Sequence, residues 1–244
     1  MATTTQPGSS SLDQPDYWWY RARSDLLEAV LGPFLGEPKA TLDVGSADGP
    51  SVAWMRGNHR RVTLDLHPRG LTPGEGVCGS AMALPFADEV FDVVAAFDVV
   101  EHCESETQAM AELARVLVPG GRLLLSVPAY QWAWSDHDVR AGHFRRYTKS
   151  RLAGLVEGAG LAVERATYAF SAVFPFFVAE RALRRVRQRV GRPPEPGLAQ
   201  VSPRTDRMLM ALSGLDHRLL RERNLPFGSS VFLAALKPGQ ASTR

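Results

Sequence analysis

The chain has 244 residues, 45% of them hydrophobic, with 28 basic and 26 acidic residues, a formal net charge of +2 and two cysteines. That is enough apolar material for one large core, and too little net charge to point to any particular class of partner. Cys78 and Cys103 stand far apart with no CxxC spacing, which argues against a disulfide framework or a cysteine metal centre and predicts reduced thiols in a cytoplasmic protein. No stretch approaches about 18 consecutive apolar residues, so no membrane-spanning helix is expected.

In chain order, residues 1–15 are rich in Thr, Ser, Gln and Pro and lack the basic-then-apolar order of a signal peptide. They read as a disordered tail, leaving residues 16–244 as a single domain. Asp16 to Arg23 places four aromatics ahead of Leu26, Leu27, Val30 and Leu31, the spacing of a helix that packs one apolar face. Thr41 to Val44 is a short apolar strand interrupted by Asp43, and Gly45-Ser46-Ala47-Asp48-Gly49 breaks it into a loop before an expected helix from Ser51. A strand, a glycine loop and a helix start form a nucleotide-cofactor turn at the carboxyl end of a first strand. The dinucleotide pattern Gly-x-Gly-x-x-Gly is not met, because Ala47 stands in the second glycine's place, and no Gly-Lys-Ser/Thr follows as a phosphate loop requires. Arg61 to Leu66 is a second strand. Its Asp65 lies about 20 residues beyond the glycine loop, where a carboxylate can accept hydrogen bonds from ribose hydroxyls. Residues 67–76 hold two prolines and three glycines, which leaves no room for an ordinary crossover helix and predicts a short third strand at an edge.

Phe91 to Asp98 is nearly all apolar and predicts a central fourth strand aiming Asp98, Glu101 and His102 at the crevice above the sheet; Asp98 or Glu101 could equally cap a helix. Glu106 to Val116 has helical spacing, Pro119-Gly120-Gly121 ends it, and Arg122 to Val127 is a fifth strand. Asp43, Gly45 and Gly49, then Asp65, Leu84-Pro85-Phe86, Phe91-Asp92-Val93-Val94, Glu101-His102 and Ala114 to Leu123 occur in this order over about two thirds of the chain. Together they resemble the small-molecule, methyltransferase-11-like branch of the class I S-adenosylmethionine-dependent methyltransferases. Ala47 departs from that family's glycine motif, and Ser80 stands where the family commonly has an Asp.

The resemblance implies an α/β, Rossmann-like sheet of seven mostly parallel strands in the order 3-2-1-4-5-7-6, one strand antiparallel, with helices on both faces. It implies S-adenosyl-L-methionine as cofactor, bound by Asp43, Gly45, Ser46, Ala47, Gly49, Asp65, Leu66, Ser80, Ala81, Met82 and Asp98, with Arg23 pairing the methionine carboxylate. Methyl transfer is the implied function. A non-catalytic cofactor-binding or partner-regulating protein of the same fold is the alternative, and a nicotinamide dehydrogenase a weaker third.

Pro128 to Thr148 is a long segment with few core-type aliphatics, following the fifth strand at the ligand edge. Its aromatic, basic and imidazole groups point to acceptor binding by Tyr130, Trp134, Arg145, Arg146 and Tyr147. His143, His137 and then His102 are the candidate general bases. The arginines favour an anionic or lipid-linked small-molecule acceptor. His137, Asp138 and His143 lack helical metal-binding spacing, so no metal is expected. Thr148 caps a further helix, Leu161 to Tyr168 is the sixth strand, and Ser229 to Leu236 the last. Residues 169–225 therefore form a helical insertion before the final strand. Within it, residues 170–190 run from phenylalanines into a dense arginine cluster. That pattern suits a cap over the acceptor pocket first, peripheral contact with an anionic inner membrane surface second, and nucleic acid, for which no recognition motif is present, a distant third.

Overall fold

The computed structural model describes residues 14–45, 49–69, 71, 74, 76–189 and 201–239. Most of the expected tail, Ser46 and Ala47 of the glycine loop, and most of the Pro/Gly linker between the inserted helices lie outside these residues.

Seven strands form one sheet: β1 (Ala40–Val44), β2 (Arg60–Asp65), β3 (Gly76–Cys78), β4 (Phe91–Phe97), β5 (Leu117–Pro128), β6 (Ala162–Ala169) and β7 (Ser230–Leu236). Their order is β3-β2-β1-β4-β5-β7-β6, parallel except for β7, which runs antiparallel to both β5 and β6. This is the topology that the motif order implied. β3 is three residues long and lies at the edge, as the glycines and prolines before it predict.

Side-chain alternation divides the core between the two faces. Val93, Ala95 and Phe97 of β4 point to one face, where α1 (Trp18–Leu31) supplies Ala22, Leu26, Leu27, Val30 and Leu31. Val94 and Ala96 point to the other, which is covered by Ala109, Met110 and Leu113 of α2 (Glu106–Arg115) and by Leu152 and Val156 of α4 (Lys149–Gly158). Capping follows the sequence: the Ser105 hydroxyl accepts from the Gln108 amide and the Thr148 hydroxyl from the Arg151 amide. Arg115 and Glu112 of α2 pin the Leu84-Pro85-Phe86 stretch: Glu112 accepts from the Leu84 amide, and Arg115 donates to the Leu84 and Phe86 carbonyls.

Two local expectations are corrected. After the glycine loop the chain makes only a 3₁₀ turn, Pro50–Met55, rather than an α-helix. Gly57 and Asn58 follow at once and β2 begins at Arg60, too soon for a longer helix to form. Conversely, the stretch after β5 is not bare loop. It holds a 3₁₀ turn at Gln131–Ala133 and a short helix, α3 (Asp136–Ala141), which starts with a reciprocal capping box between Ser135 and Asp138 and stops at Gly142 in the left-handed conformation.

The insertion supplies α5 (Phe174–Arg189) and α6 (Pro203–Leu220). α6 packs beside α1, burying Leu209 and Leu220 in the α1-side core and pairing Asp206 with Arg21 at 2.7 Å. α5 instead lies against the segment after β5. Phe174 meets Tyr130 and Trp132, Phe177 meets Trp132, and Arg181 and Arg185 donate to the Ser135 hydroxyl and the Trp132 carbonyl.

Candidate active site

The strand order reverses between β1 and β4, so the crevice at their carboxyl ends is where an open α/β sheet takes a ligand. Gly45 leaves β1 at φ +77°, and a β-carbon there would stand 2.5 Å from Val99 Cγ2 in the segment after β4. A glycine is thus required twice over, by conformation and by space. Gly45→Ala is expected to destabilise the fold by about 1–3 kcal/mol. Urea unfolding of the variant checks this, and an unchanged midpoint would show that the crevice relaxes freely.

Asp43 is fully buried in β1 and its Oδ2 accepts from Arg61 of β2 at 3.1 Å. Asp65 closes β2, with Oδ1 accepting from the His67 amide at 2.9 Å, and Leu66 beside it is two-thirds exposed. An acid and an open apolar side chain therefore stand together at the carboxyl end of β2. Gly49 is buried at the start of the 3₁₀ turn. Next to β3, the Ser80 hydroxyl accepts from the Met82 amide at 3.1 Å. Ala81 is packed into the core, and Met82 is partly buried against it.

At the end of β4, Asp98 adopts φ +57°. Its carboxylate takes Arg23 Nη2 at 2.8 Å and the Ser126 hydroxyl at 3.1 Å, and Arg23 also reaches Ser126 at 3.2 Å. Arg23, which is buried beneath the Trp19 ring, is therefore held by a protein carboxylate rather than left extended toward the crevice. Asp98, Tyr130 at φ +61° and Phe170 at φ +64° are three of the four described non-glycine residues with positive φ. They follow β4, β5 and β6, three strands whose carboxyl ends share one edge of the sheet. Backbone strain of this kind concentrates where a ligand is held.

The densest chemistry lies just past β4 and β5. Glu101 and His102 sit on a 3₁₀ turn, Val100–His102, and His143 follows α3. The rings of His102 and His143 meet edge to face at 4.6 Å, and His137 stands edge to face with His143 at 6.2 Å. The Phe144 amide donates to the Glu101 carbonyl at 2.7 Å, tying the two segments together. His143 Nδ1 bonds Asp138 Oδ1 at 2.8 Å, and Arg146 Nε donates to the same oxygen at 2.7 Å. The Ser135 amide donates to the other oxygen at 2.8 Å. These donors hold the fully buried Asp138 carboxyl well below the usual carboxylate range, although burial alone would raise it. Glu101 is the opposite case. Burial, with Asp98 nearby, pushes its carboxyl well above that range, and neither oxygen has a hydrogen-bond partner among the described residues. Desolvation of the packed side of its ring, and then the neighbouring His143 imidazole, hold His102 below its ordinary value.

Several residues expected to grip the acceptor are engaged inside the protein. Tyr147 is fully buried and donates its hydroxyl to Glu106 at 2.6 Å. Arg146 serves Asp138 and the Ala129 carbonyl. Arg145 donates to the carbonyls of Cys103 and Glu104, both at 2.6 Å. The physical reason is common to both arginines, since a buried carboxylate and the carbonyls of an irregular turn must find donors within the fold. Tyr130 stacks on Trp132 and Tyr168, with centroids at 5.6 and 5.2 Å, and burial pushes its phenol up to about 12. Trp134, at the end of the 3₁₀ turn, is half-buried. Glu101 and Asp138 are the functional groups that residue-by-residue reading undervalued. For Asp138 the signal was present as Ser135-x-x-Asp138, a helix-start pattern.

A family model described as a methyltransferase domain matches residues 42–125. A probable S-adenosylmethionine-dependent methyltransferase of Mycolicibacterium smegmatis is 37% identical over 181 residues, covering 66% of this chain and 64% of that one. An uncharacterized methyltransferase of Mycobacterium leprae is 33% identical over 143 residues, 52% of this chain, and the match spans about half, 53%, of that protein's length. Among solved structures, a Burkholderia thailandensis 1,6-didemethyltoxoflavin-N1-methyltransferase with bound 1,6-didemethyltoxoflavin and S-adenosylhomocysteine superposes with a TM-score of 0.54 at 17% identity, covering 94% of this chain and 84% of its own. At that identity the likeness is one of fold. With the strand order, the glycine turn and the acid closing β2, these matches identify residues 42–125 as a methyltransferase domain, set in a sheet with the strand order of the class I S-adenosylmethionine-dependent enzymes.

Proposed function

We propose that this chain transfers the methyl group of S-adenosylmethionine to a small-molecule acceptor held beneath the segment joining β5 to α4. The observation that carries this reading is the shared edge of the sheet. Gly45 and Asp65 lie at the ends of β1 and β2, and the His102–His143 cluster lies after β4 and β5, on the same carboxyl side of the sheet. The sulfonium already activates the methyl group, so the protein's task is to align a nucleophile in line with it and to deal with that nucleophile's proton. Asp65 takes the ribose hydroxyls, and Leu66, Ala81 and Met82 give the adenine apolar contact. Arg23 and Asp98 face the methionine end as a fixed charge pair. His143, oriented through Nδ1 by Asp138, presents Nε2 to the acceptor, with His102 beside it and His137 next in line.

Incubation with methyl-labelled S-adenosylmethionine and fractionated metabolite and lipid extracts tests this, and label is expected in a discrete product. Cofactor binding with no labelled product from any extract would favour the non-catalytic alternative. Asp65→Ala is expected to weaken S-adenosylmethionine by about 1–3 kcal/mol by calorimetry, because two hydroxyls lose a charged acceptor. An unchanged affinity in the folded variant would remove Asp65 from the site.

A lipid-linked acceptor is favoured by α5, where Phe176, Leu183 and Val186 are exposed beside Arg184 and Arg187. No described helix is long and apolar enough to cross a membrane. An amphipathic basic helix would instead lie at an anionic surface. The protein is then expected to sediment with anionic vesicles at low salt and to release at high salt. No sedimentation at low salt would leave α5 as a pocket cap.

A further inference from the structure

Glu101 is fully buried with neither carboxylate oxygen hydrogen-bonded among the described residues. An isolated buried carboxylate is costly, and such groups are ordinarily paired or coordinate a cation. Arg23 and Arg146 act on Glu101 only through space, without a hydrogen bond, and the groups within ligand reach are two imidazoles, His102 and His143: one ligand atom from each of the three residues falls within 4.8 Å of the others. We propose that Glu101, His102 and His143 form a binding site for a divalent first-row transition-metal ion, open on the His102 side.

Four features support the site beyond the coincidence of three residues. His143 Nδ1 is committed to Asp138, which fixes the ring and leaves Nε2 as the ligand. A carboxylate behind a histidine is the usual outer partner of a metal-bound imidazole. The His102 ring already stands edge to face with the His143 ring, centroids 4.6 Å apart, so the two imidazoles are adjacent before an ion arrives. The Phe144 amide bond to the Glu101 carbonyl holds the two ligand-bearing segments together before any ion arrives. Finally, His102 is exposed, which provides an entry path, while Glu101 offers its two unbonded carboxyl oxygens from within. Ligands on one ion at about 2.0–2.2 Å stand roughly 3–3.5 Å apart, so the three need only a modest side-chain contraction. Imidazole nitrogen favours zinc, iron, cobalt or nickel over magnesium or calcium. Three protein ligands leave positions open, the arrangement of a catalytic rather than a structural ion.

Taken with the proposed methyl transfer, on which this part rests, the open position suits an acceptor oxygen. A hydroxyl bound there loses its proton to water more readily. The resulting oxyanion forms the C–O bond as the C–S bond breaks, releasing the uncharged thioether, and the ion keeps its oxidation state throughout.

The test uses the full chain, stripped with chelator and dialysed, titrated with Co²⁺ alone in the absence of S-adenosylmethionine. Calorimetry is expected to give one ion per chain, and absorption the visible bands of a low-coordinate nitrogen–oxygen site. His102→Ala and His143→Ala are expected to weaken binding by at least about tenfold, and Glu101→Gln likewise, whereas His137→Ala leaves it unchanged. His102 is exposed, so His102→Ala should retain the fold, and its thermal melt is recorded beside the wild type. Absence of stoichiometric Co²⁺ binding, or undiminished binding in folded His102→Ala, overturns the site. S-adenosylmethionine affinity is measured on the same preparation. Cofactor binding without Co²⁺ binding overturns the metal site alone, and Co²⁺ binding without cofactor binding overturns the methyl-transfer reading alone.

Discussion

His143→Ala is expected to lower turnover by about 10²–10⁴-fold once an acceptor is in hand, while S-adenosylmethionine affinity stays within a factor of a few. The division follows from where the groups lie. The residues proposed to hold the cofactor, Gly45, Asp65 and Ser80, lie at the carboxyl ends of β1, β2 and β3, whereas His143 belongs to the segment after β5 and touches His102, His137 and Asp138. Whether the imidazole takes the acceptor's proton itself or holds the ion that acidifies it, its removal leaves the acceptor unactivated. The paired measurement is single-turnover methyl transfer beside calorimetry. Loss of cofactor binding in a folded His143→Ala protein would make the segment a cofactor lid and refute this division of labour.

Asp138→Ala is expected to cost about 3–5 kcal/mol of folding stability, far more than any surface change in the same segment. The fully buried carboxylate accepts from Arg146, His143 and the Ser135 amide. Arg146 is itself 5% exposed, so truncating its partner leaves a buried guanidinium with only the Ala129 carbonyl as side-chain hydrogen-bond acceptor among the described residues and with no hydrogen-bonded counter-charge. The same substitution removes the Asp138 half of the capping box that starts α3. Asp138→Asn, which keeps volume and one acceptor oxygen, should fall between alanine and wild type. Equilibrium urea unfolding reads all three. A loss under about 1 kcal/mol for alanine would mean that water reaches the pair and that the cluster is not rigidly held.

The parts legible in the sequence were those governed by a repeating physical signal. Apolar runs such as Val93 to Phe97 alternate between two helical layers, and a chain that must cover both faces of a parallel sheet has few topologies open to it. The edge position of β3 and the cap at Thr148 follow from such signals, whereas the strand order and the insertion before the last strand were what the family resemblance implied. The turn after Gly49 was misread because Pro50 and the residues behind it suit a helix start, while the early onset of β2 leaves only a 3₁₀ turn.

The roles of single polar residues were legible only as candidates. Arg145, Arg146 and Tyr147 look like acceptor-binding groups in a list of residues, yet each is engaged by a carbonyl or carboxylate that only the folded chain brings near. Glu101 was missed for the reciprocal reason. Beside His102 in sequence it reads as a crevice acid or a cap, and its lack of a side-chain hydrogen bond among the described residues, like its approach to His143 some forty residues on, exists only in three dimensions. The spacing argument against a metal weighed His137, Asp138 and His143, a set that leaves out Glu101 and His102.

The most direct test of the account is calorimetric titration of the intact chain with S-adenosylmethionine, its demethylated product and NAD in parallel. The account predicts one site that takes both sulfur compounds, is weakened by Asp65→Ala and ignores NAD. Binding of NAD, or no binding of either sulfur compound by the folded protein, would contradict it.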